Sequence, residues 1–195
     1  MQKENMQKVY ILLTRTNTIM ARFLRQMTGD EFTHASLALD AKLDRMYSFA
    51  RRNFYFPLIG GFIAENIHTG VFGHQPDTTC ALYELEVSAE SYQRICAIIQ
   101  SFFDEYALYR YSFLGLALIK LGIAHQRPYR FFCSQFVAYV LSQSGALELP
   151  KDCSLITPNF FAQLPQLKLV YKGPLHSPVF SSNAFGPTML PTALR

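Results

Sequence analysis

Charge is scarce in this chain and tryptophan is absent. Only 16% of the 195 residues are Asp, Glu, Lys or Arg, against about 25% in an ordinary globular protein. Half of the residues are hydrophobic. That excludes a largely disordered chain, because there is ample apolar surface to offset the entropy of ordering. No Lys/Arg-rich run occurs, and the net charge of +4 is scattered in single residues and pairs such as Arg51-Arg52. The footprint of a nucleic-acid binder is therefore missing, and no nucleic-acid partner is expected. No stretch approaches the ~18 apolar residues of a spanning helix. The longest candidate, Phe113 to Ala124, is broken by Lys120 and two glycines. The run Val9 to Leu13 is too short for the ~7–15-residue core of a secretory signal. The expectation is a soluble, cytoplasmic protein.

Several chemistries are excluded by missing motifs. The cysteines are Cys80, Cys96, Cys133 and Cys153, and no two are spaced C-x-x-C, so thioredoxin-like and zinc-ribbon chemistry lose their signature. A reducing compartment argues against disulfides. His68, His74, His125 and His176 show no ligand spacing, so no metal is expected. There is no G-x-S-x-G, G-x-G-x-x-G or phosphate-binding loop, which leaves serine-hydrolase, dinucleotide and nucleotide-triphosphatase activities without support.

What is present is a patterned chain. Val9 to Thr14 is a short apolar run with a β-branched start and predicts a strand. Asn17 to Met27 predicts a short helix with Ile19, Met20, Phe23, Leu24 and Met27 on one stripe. Phe32 to Asp40 alternates Ala35, Leu37 and Leu39 with His34, Ser36, Ala38 and Asp40, and Arg45 to Ala50 returns as its antiparallel partner. Arg52 to Gln75, rich in Gly, Phe and Asn, is the least regular part, and Gly60-Gly61 breaks any helix there. Thr79 to Val87 alternates as a strand. Ser88 caps a helix with Tyr92, Ile95, Cys96, Ile99, Phe102, Phe103 and Tyr106 on one face. Phe113 to Ile123 predicts a buried helix, and Phe132 to Ser144 a second strong helix stopped by Gly145. Thr157-Pro158 opens another helix, and Leu167 to Tyr171 is a last strand. Residues 1–173 read as one domain. From 174 to 195 the chain reads as an extended, proline-containing tail.

Two residues stand out chemically. Cys133 opens a predicted helix, where the macrodipole and free N–H groups stabilise a thiolate and can hold an oxyanion. The plainer reading is a buried thiol, since Cys133 shares a stripe with Val137, Val140 and Leu141. His34 lies on the small, polar face of its strand, and its ordinary pKa suits it to take a proton from a thiol. Among the other thiols, Cys96 lies on the buried helical stripe, Cys80 in a strand, and Cys153 in a loop that no helix start frames.

The strand Tyr10-Ile11-Leu12-Leu13-Thr14-Arg15, then Thr33-His34-Ala35-Ser36-Leu37-Ala38-Leu39, and much later Phe131-Phe132-Cys133-Ser134-Gln135-Phe136-Val137 resemble the circularly permuted branch of the NlpC-type, papain-like cysteine hydrolases. These are the YiiX- and YycO-like proteins, related to the lecithin retinol acyltransferases. The resemblance spans Val9 to Tyr171 and rests on the order His strand first, Cys helix last. It implies an α+β fold with a central antiparallel sheet packed by the Cys helix, with Cys133 as nucleophile, His34 as general base and no cofactor. Where relatives carry an acidic residue in the strand after the His strand, this chain has Ser48. Serine lacks the charge that stabilises imidazolium, and Asp40 or Glu65 can substitute. The implied function is a cysteine hydrolase or acyltransferase acting on a peptide, small-molecule or lipid-type amide or ester. A catalytically silent binding module is the alternative, because of Ser48. A lipid-handling protein at a membrane surface is another, because of the mild basic charge and the aromatics. The aromatic segment Phe49 to Phe72 either walls an apolar pocket or is ordinary core.

Overall fold

The computed structural model describes residues 6–17, 21–22, 25–26, 29–51 and 60–180. Its centre is a six-stranded, wholly antiparallel sheet in the order β4-β3-β2-β1-β5-β8. The strands are β1 (Gln7–Arg15), β2 (His34–Ala38), β3 (Met46–Arg51), β4 (Gly60–Glu65), β5 (Thr79–Val87) and β8 (Lys168–Pro174). The class is α+β, as expected.

Both faces of the sheet are covered, and each by a different kind of element. Ile11, Leu13, Ala35, Leu37, Phe49, Phe62 and Ala81 form the larger core with two helices. These are α2 (Ala89–Asp104) and α4 (Cys133–Gln143); the short helix α1 (Gly70–Gly73) precedes them in the chain. Helix α2 is amphipathic: the Ser88 hydroxyl accepts the Ser91 N–H at 3.0 Å, and Tyr92, Ile95, Ile99 and Phe102 are buried. The stripe stops there, since Phe103 and Tyr106 are 38% and 40% exposed. Helix α4 is apolar on most sides and ends before Gly145, whose φ of +70° is left-handed. On the other face Tyr10, Leu12, Ala38, Met46 and Leu82 are covered by connecting segments through Ile67, Phe72, Leu175 and Phe180.

Three elements differ from expectation. The segment from 52 to 75 was read as irregular, yet β4 lies within it as the sheet's edge strand, paired with β3 over six residues. The two glycines that break a helix are tolerated in this edge strand. A Cβ on Gly60 would come within 2.9 Å of both the Ala50 carbonyl oxygen and Tyr111 Cβ, so a side chain is excluded there by close approach. The expected buried helix near Phe113 is a surface element: α3 (Phe113–Leu118) and a 3₁₀ turn, with Leu114, Leu121 and Ile123 52%, 68% and 49% exposed. It is too short to bury a full stripe, ending at Gly122 in the left-handed region. Of the expected tail from 174 to 195, Pro174 ends β8 and Leu175 and Phe180 are buried, while 181–195 lie outside the described residues. Of the predicted helix at Asn17–Met27, Ala21, Arg22, Arg25 and Gln26 are helical, and Ile19, Met20, Phe23, Leu24 and Met27 lie outside the described residues. Among the described residues, no helix is long and apolar enough to cross a membrane.

The Cys helix is held by aromatic packing. Phe136 is fully buried, with ring centroids 5.5, 5.6 and 5.1 Å from those of Phe49, Phe62 and Phe102. Phe136→Ala is expected to cost ~3–5 kcal/mol of stability, as for a buried aromatic. Leu121→Ala, on the exposed turn, is expected to change it by less than ~0.5 kcal/mol. Urea denaturation midpoints of the two variants check this contrast.

Candidate active site

The register of the sheet decides which polar side chains meet. Thr14 pairs with His34, Leu12 with Ser36, Ala38 with Met46, and Met46 with Glu65. Residues directly opposite in an antiparallel pair share a face, and alternate residues along a strand return to it. Thr14, His34, Ser36, Ser48 and Glu65 therefore all lie on one face, on four different strands.

The β2–β3 ladder contains only Leu37↔Tyr47 and Ala38↔Met46, so the two strands part toward the start of β2. The N-terminus of α4 meets the sheet at that parting. The Cys133 thiol takes the backbone N–H groups of Ala35 and Ser134 and a hydrogen bond from His34. Phe132 has no capping side chain and Gln135 Oε1 accepts only the Phe132 N–H, at 3.4 Å, so the first-turn N–H groups stay available to the site. The helix start is pinned instead by Ser134, whose hydroxyl donates to the Ile156 carbonyl at 2.7 Å.

His34 Nε2 lies 2.9 Å from Glu65 Oε1, which leaves Nδ1 to the thiol. The other carboxylate oxygen of Glu65 accepts the Ser36 hydroxyl. The side chains of His34 and Glu65 are only 17% and 7% exposed. Burial alone would pull the His34 pKa down, but the Glu65 carboxylate and the Cys133 thiolate outweigh it and raise it to about 10. Burial opposes the charge on Glu65 as well, but the His34 imidazolium and the hydroxyls around it hold its pKa below the usual value. For Cys133, burial is again opposed, here by His34 and the two N–H groups, and the thiol pKa is lowered. Each of the three shifts favours the charged row of thiolate, imidazolium and carboxylate over its neutral form.

The four thiols are free, and only Cys133 is shifted toward the thiolate. Burial raises the pKa of Cys80 to about 12, and raises those of Cys96 and Cys153. Cys96 is half-buried, and Cys153 opens a 3₁₀ turn rather than a plain loop.

The third residue of the site is Glu65. Ser48, the residue at the expected position, is fully buried beside the Glu65 carboxylate but makes no hydrogen bond of ordinary length. Asp40 is used elsewhere, accepting the backbone N–H groups of Asp44 and Arg45 and the Arg45 side chain in the β2–β3 turn. A fourth residue escaped sequence analysis. Tyr111 lies in β6 (Arg110–Tyr111), which pairs in parallel with β7 (Arg130–Phe131) just before Cys133. Burial and its hydrogen bond to the Cys133 thiol push the Tyr111 pKa well up, so it stays a phenol and donates to the sulfur. No local signal in the sequence marks it.

His34, Glu65 and Tyr111 line a pocket of about 250 Å³. Cys133, 3% exposed, does not itself line the pocket; the His34 and Tyr111 side chains beside its thiol do. Much of the wall is apolar: Phe49, Ile63, Val71, Phe72, Phe113 and Leu116. Of the aromatic segment, Phe49 and Phe72 pack in the cores and also line the pocket, Phe62 packs in the core, and Phe54, Tyr55 and Phe56 lie outside the described residues. No family model matches this chain, and no curated protein does.

The thiolate's dependence on Glu65 is testable. Alkylation of Cys133 by iodoacetamide is expected to follow an apparent pKa below the ~8.5 of a free thiol. Glu65→Gln, which removes the charge that holds His34 protonated, should move that pKa back toward ~8.5. Ser48→Ala should leave it within a few tenths of a unit. Equal effects of the two substitutions would reject Glu65 as the residue that sets the imidazole.

Proposed function

We propose that this protein is a thiol hydrolase or acyltransferase acting on an amide or ester, with the permuted papain-like fold that its motifs resemble. The observation that carries the proposal is the environment of Cys133: one thiol of four, between an imidazole paired to a carboxylate and two backbone N–H groups, that of Ala35 in β2 and that of Ser134 at a helix start. The order His strand first, Cys helix last, on an antiparallel sheet, fits the resemblance.

In the proposed reaction the Cys133 thiolate attacks the carbonyl carbon, forming a C–S bond. The negative oxygen is met by backbone N–H groups at the start of α4, with the Tyr111 hydroxyl beside them. The tetrahedral intermediate collapses as His34 gives its Nδ1 proton to the leaving amine or alcohol. That leaves a thioester on Cys133. Neutral His34 then takes a proton from water or an acceptor alcohol, whose oxygen attacks the thioester, and the thiolate and imidazolium are restored. Glu65 holds the imidazole in one orientation and stabilises its cation without taking the proton. The binding-module alternative was motivated by an imidazole with no carboxylate. Glu65 removes that motive.

Intact-mass spectrometry after mixing with p-nitrophenyl esters and amino-acid p-nitroanilides should show an acyl adduct on Cys133. Cys133→Ala should abolish the adduct, and His34→Ala should lower turnover by about 10²–10⁴-fold, the usual worth of a general acid–base. The pH profile of kcat/KM has a definite sign. It rises as Cys133 ionises below ~8.5, and falls as His34 loses its proton near 10, because the leaving group then has no acid. Full activity in both variants would overturn the proposal.

A further inference from the structure

The pocket holds one charge that the proposed chemistry does not use. Arg51 ends β3 and lines the pocket beside Tyr111. It is half-buried. Among the described residues it forms none of the ion pairs, which join Lys8 to Glu84, His34 to Glu65, Arg45 to Asp40, Arg94 to Glu90 and Lys172 to Glu31. Glu65, the acidic residue lining this pocket, is already committed to His34 and Ser36. Burial therefore opposes the guanidinium charge, and the neighbouring Tyr111 is the group that favours it.

A second polar group in the same wall is unsatisfied. Thr14 is fully buried, lines the pocket, and its hydroxyl has no hydrogen-bond partner. It sits directly across from His34 in the β1–β2 register. Buried hydroxyls and half-buried cations without partners are costly and uncommon. An oxyanion on the pocket's occupant would give the Arg51 guanidinium the partner it lacks. The guanidinium fork matches a planar carboxylate in a two-bonded geometry. Arg51 is also the sole Lys or Arg among the described lining residues, which suits a singly charged group better than a phosphate monoester. The surrounding wall is apolar.

We propose that Arg51 is a specificity-determining residue that binds a substrate carboxylate. It would select amides or esters in which an apolar body carries one carboxylate close to the scissile carbonyl. The inference rests on the hydrolase reading and names its substrate class. Selection works through charge: a neutral analogue of the same shape leaves Arg51 unpaired, so discrimination exceeds what an apolar wall alone provides.

Calorimetric titration of the full chain with hexanoate, hexanamide and hexyl phosphate tests this. Hexanoate is expected to bind at least ten times more tightly than hexanamide, and more tightly than hexyl phosphate. Arg51→Gln should bring hexanoate to the level of hexanamide, and Arg51→Lys should retain part of the preference, which separates loss of charge from loss of fold. Equal binding of hexanoate and hexanamide, a preference that survives Arg51→Gln, binding of neither, or tighter binding of hexyl phosphate would each overturn the proposal. The same titrations on Cys133→Ala protein need no thiol. A hexanoate preference there, combined with no acyl adduct on the intact protein, would count against the hydrolase and leave the carboxylate site standing. An adduct without the preference would do the reverse.

Discussion

The site depends on a buried carboxylate that must be paired. Glu65 is held at the edge of the sheet with its side chain almost out of water, and an isolated carboxylate there would be neutralised by a rise in its pKa. It stays charged because His34 faces it at 2.9 Å and the Ser36 hydroxyl donates to its other oxygen. The same pairing keeps His34 protonated well above neutral pH, against the pull of burial. An imidazolium next to Cys133 in turn favours the thiolate. The three ionisations are one coupled event, so the protons belong to the row rather than to single residues. Remove the carboxylate and burial would favour a neutral imidazole beside a neutral thiol.

Burial by itself drives a cysteine the other way, as the remaining thiols show. Cys80 sits in β5 with no compensating charge, and its pKa rises to about 12. Cys133 is comparably hidden, yet its pKa falls. The difference comes from the local fold. The β2–β3 ladder opens beyond Leu37, an uncapped helix start enters the opening, and the backbone N–H of Ala35 turns to the sulfur instead of to a neighbouring strand. A partly unpaired sheet, which would be a defect elsewhere, supplies the donors here.

The elements with a clear period were legible in the sequence. Alternation revealed β2 and β5, a short apolar run β1, and the return after a turn β3, while the 3.6-residue stripe revealed α2 and α4. Cys133 and His34 were legible from a helix start and a polar strand face. Glu65 was legible only as one of three choices, since what joins it to His34 is cross-strand pairing through β3, and register is a tertiary property. Its strand was hidden by Gly60-Gly61, which read as punctuation but admit the close approach of Tyr111. Tyr111 could not be found locally. A two-residue parallel pairing with the chain just before Cys133 places it, and no periodicity reports so short an element. The surface position of α3 was missed because composition gives hydrophobicity but not which side of a short helix is covered.

The distribution of unsatisfied groups separates the two jobs of the molecule. The core around Phe49, Phe62, Phe102 and Phe136 is apolar and closely stacked, with nothing polar left over. Of the described buried side-chain atoms with no partner, Thr14 Oγ1 and Ser48 Oγ lie on the face of the sheet that carries His34 and Glu65, and His125 Nε2 is the remaining one. Arg51, half-buried and unpaired, is at the same end. Folding alone gives no reason to gather unpaired polar groups there, because apolar residues of similar size at Thr14 and Ser48 would avoid the desolvation cost. Local rules are broken where a structure is arranged for something other than its own stability. The pocket end of this sheet meets that description, and a bound oxyanion is the group proposed to resolve the conflict.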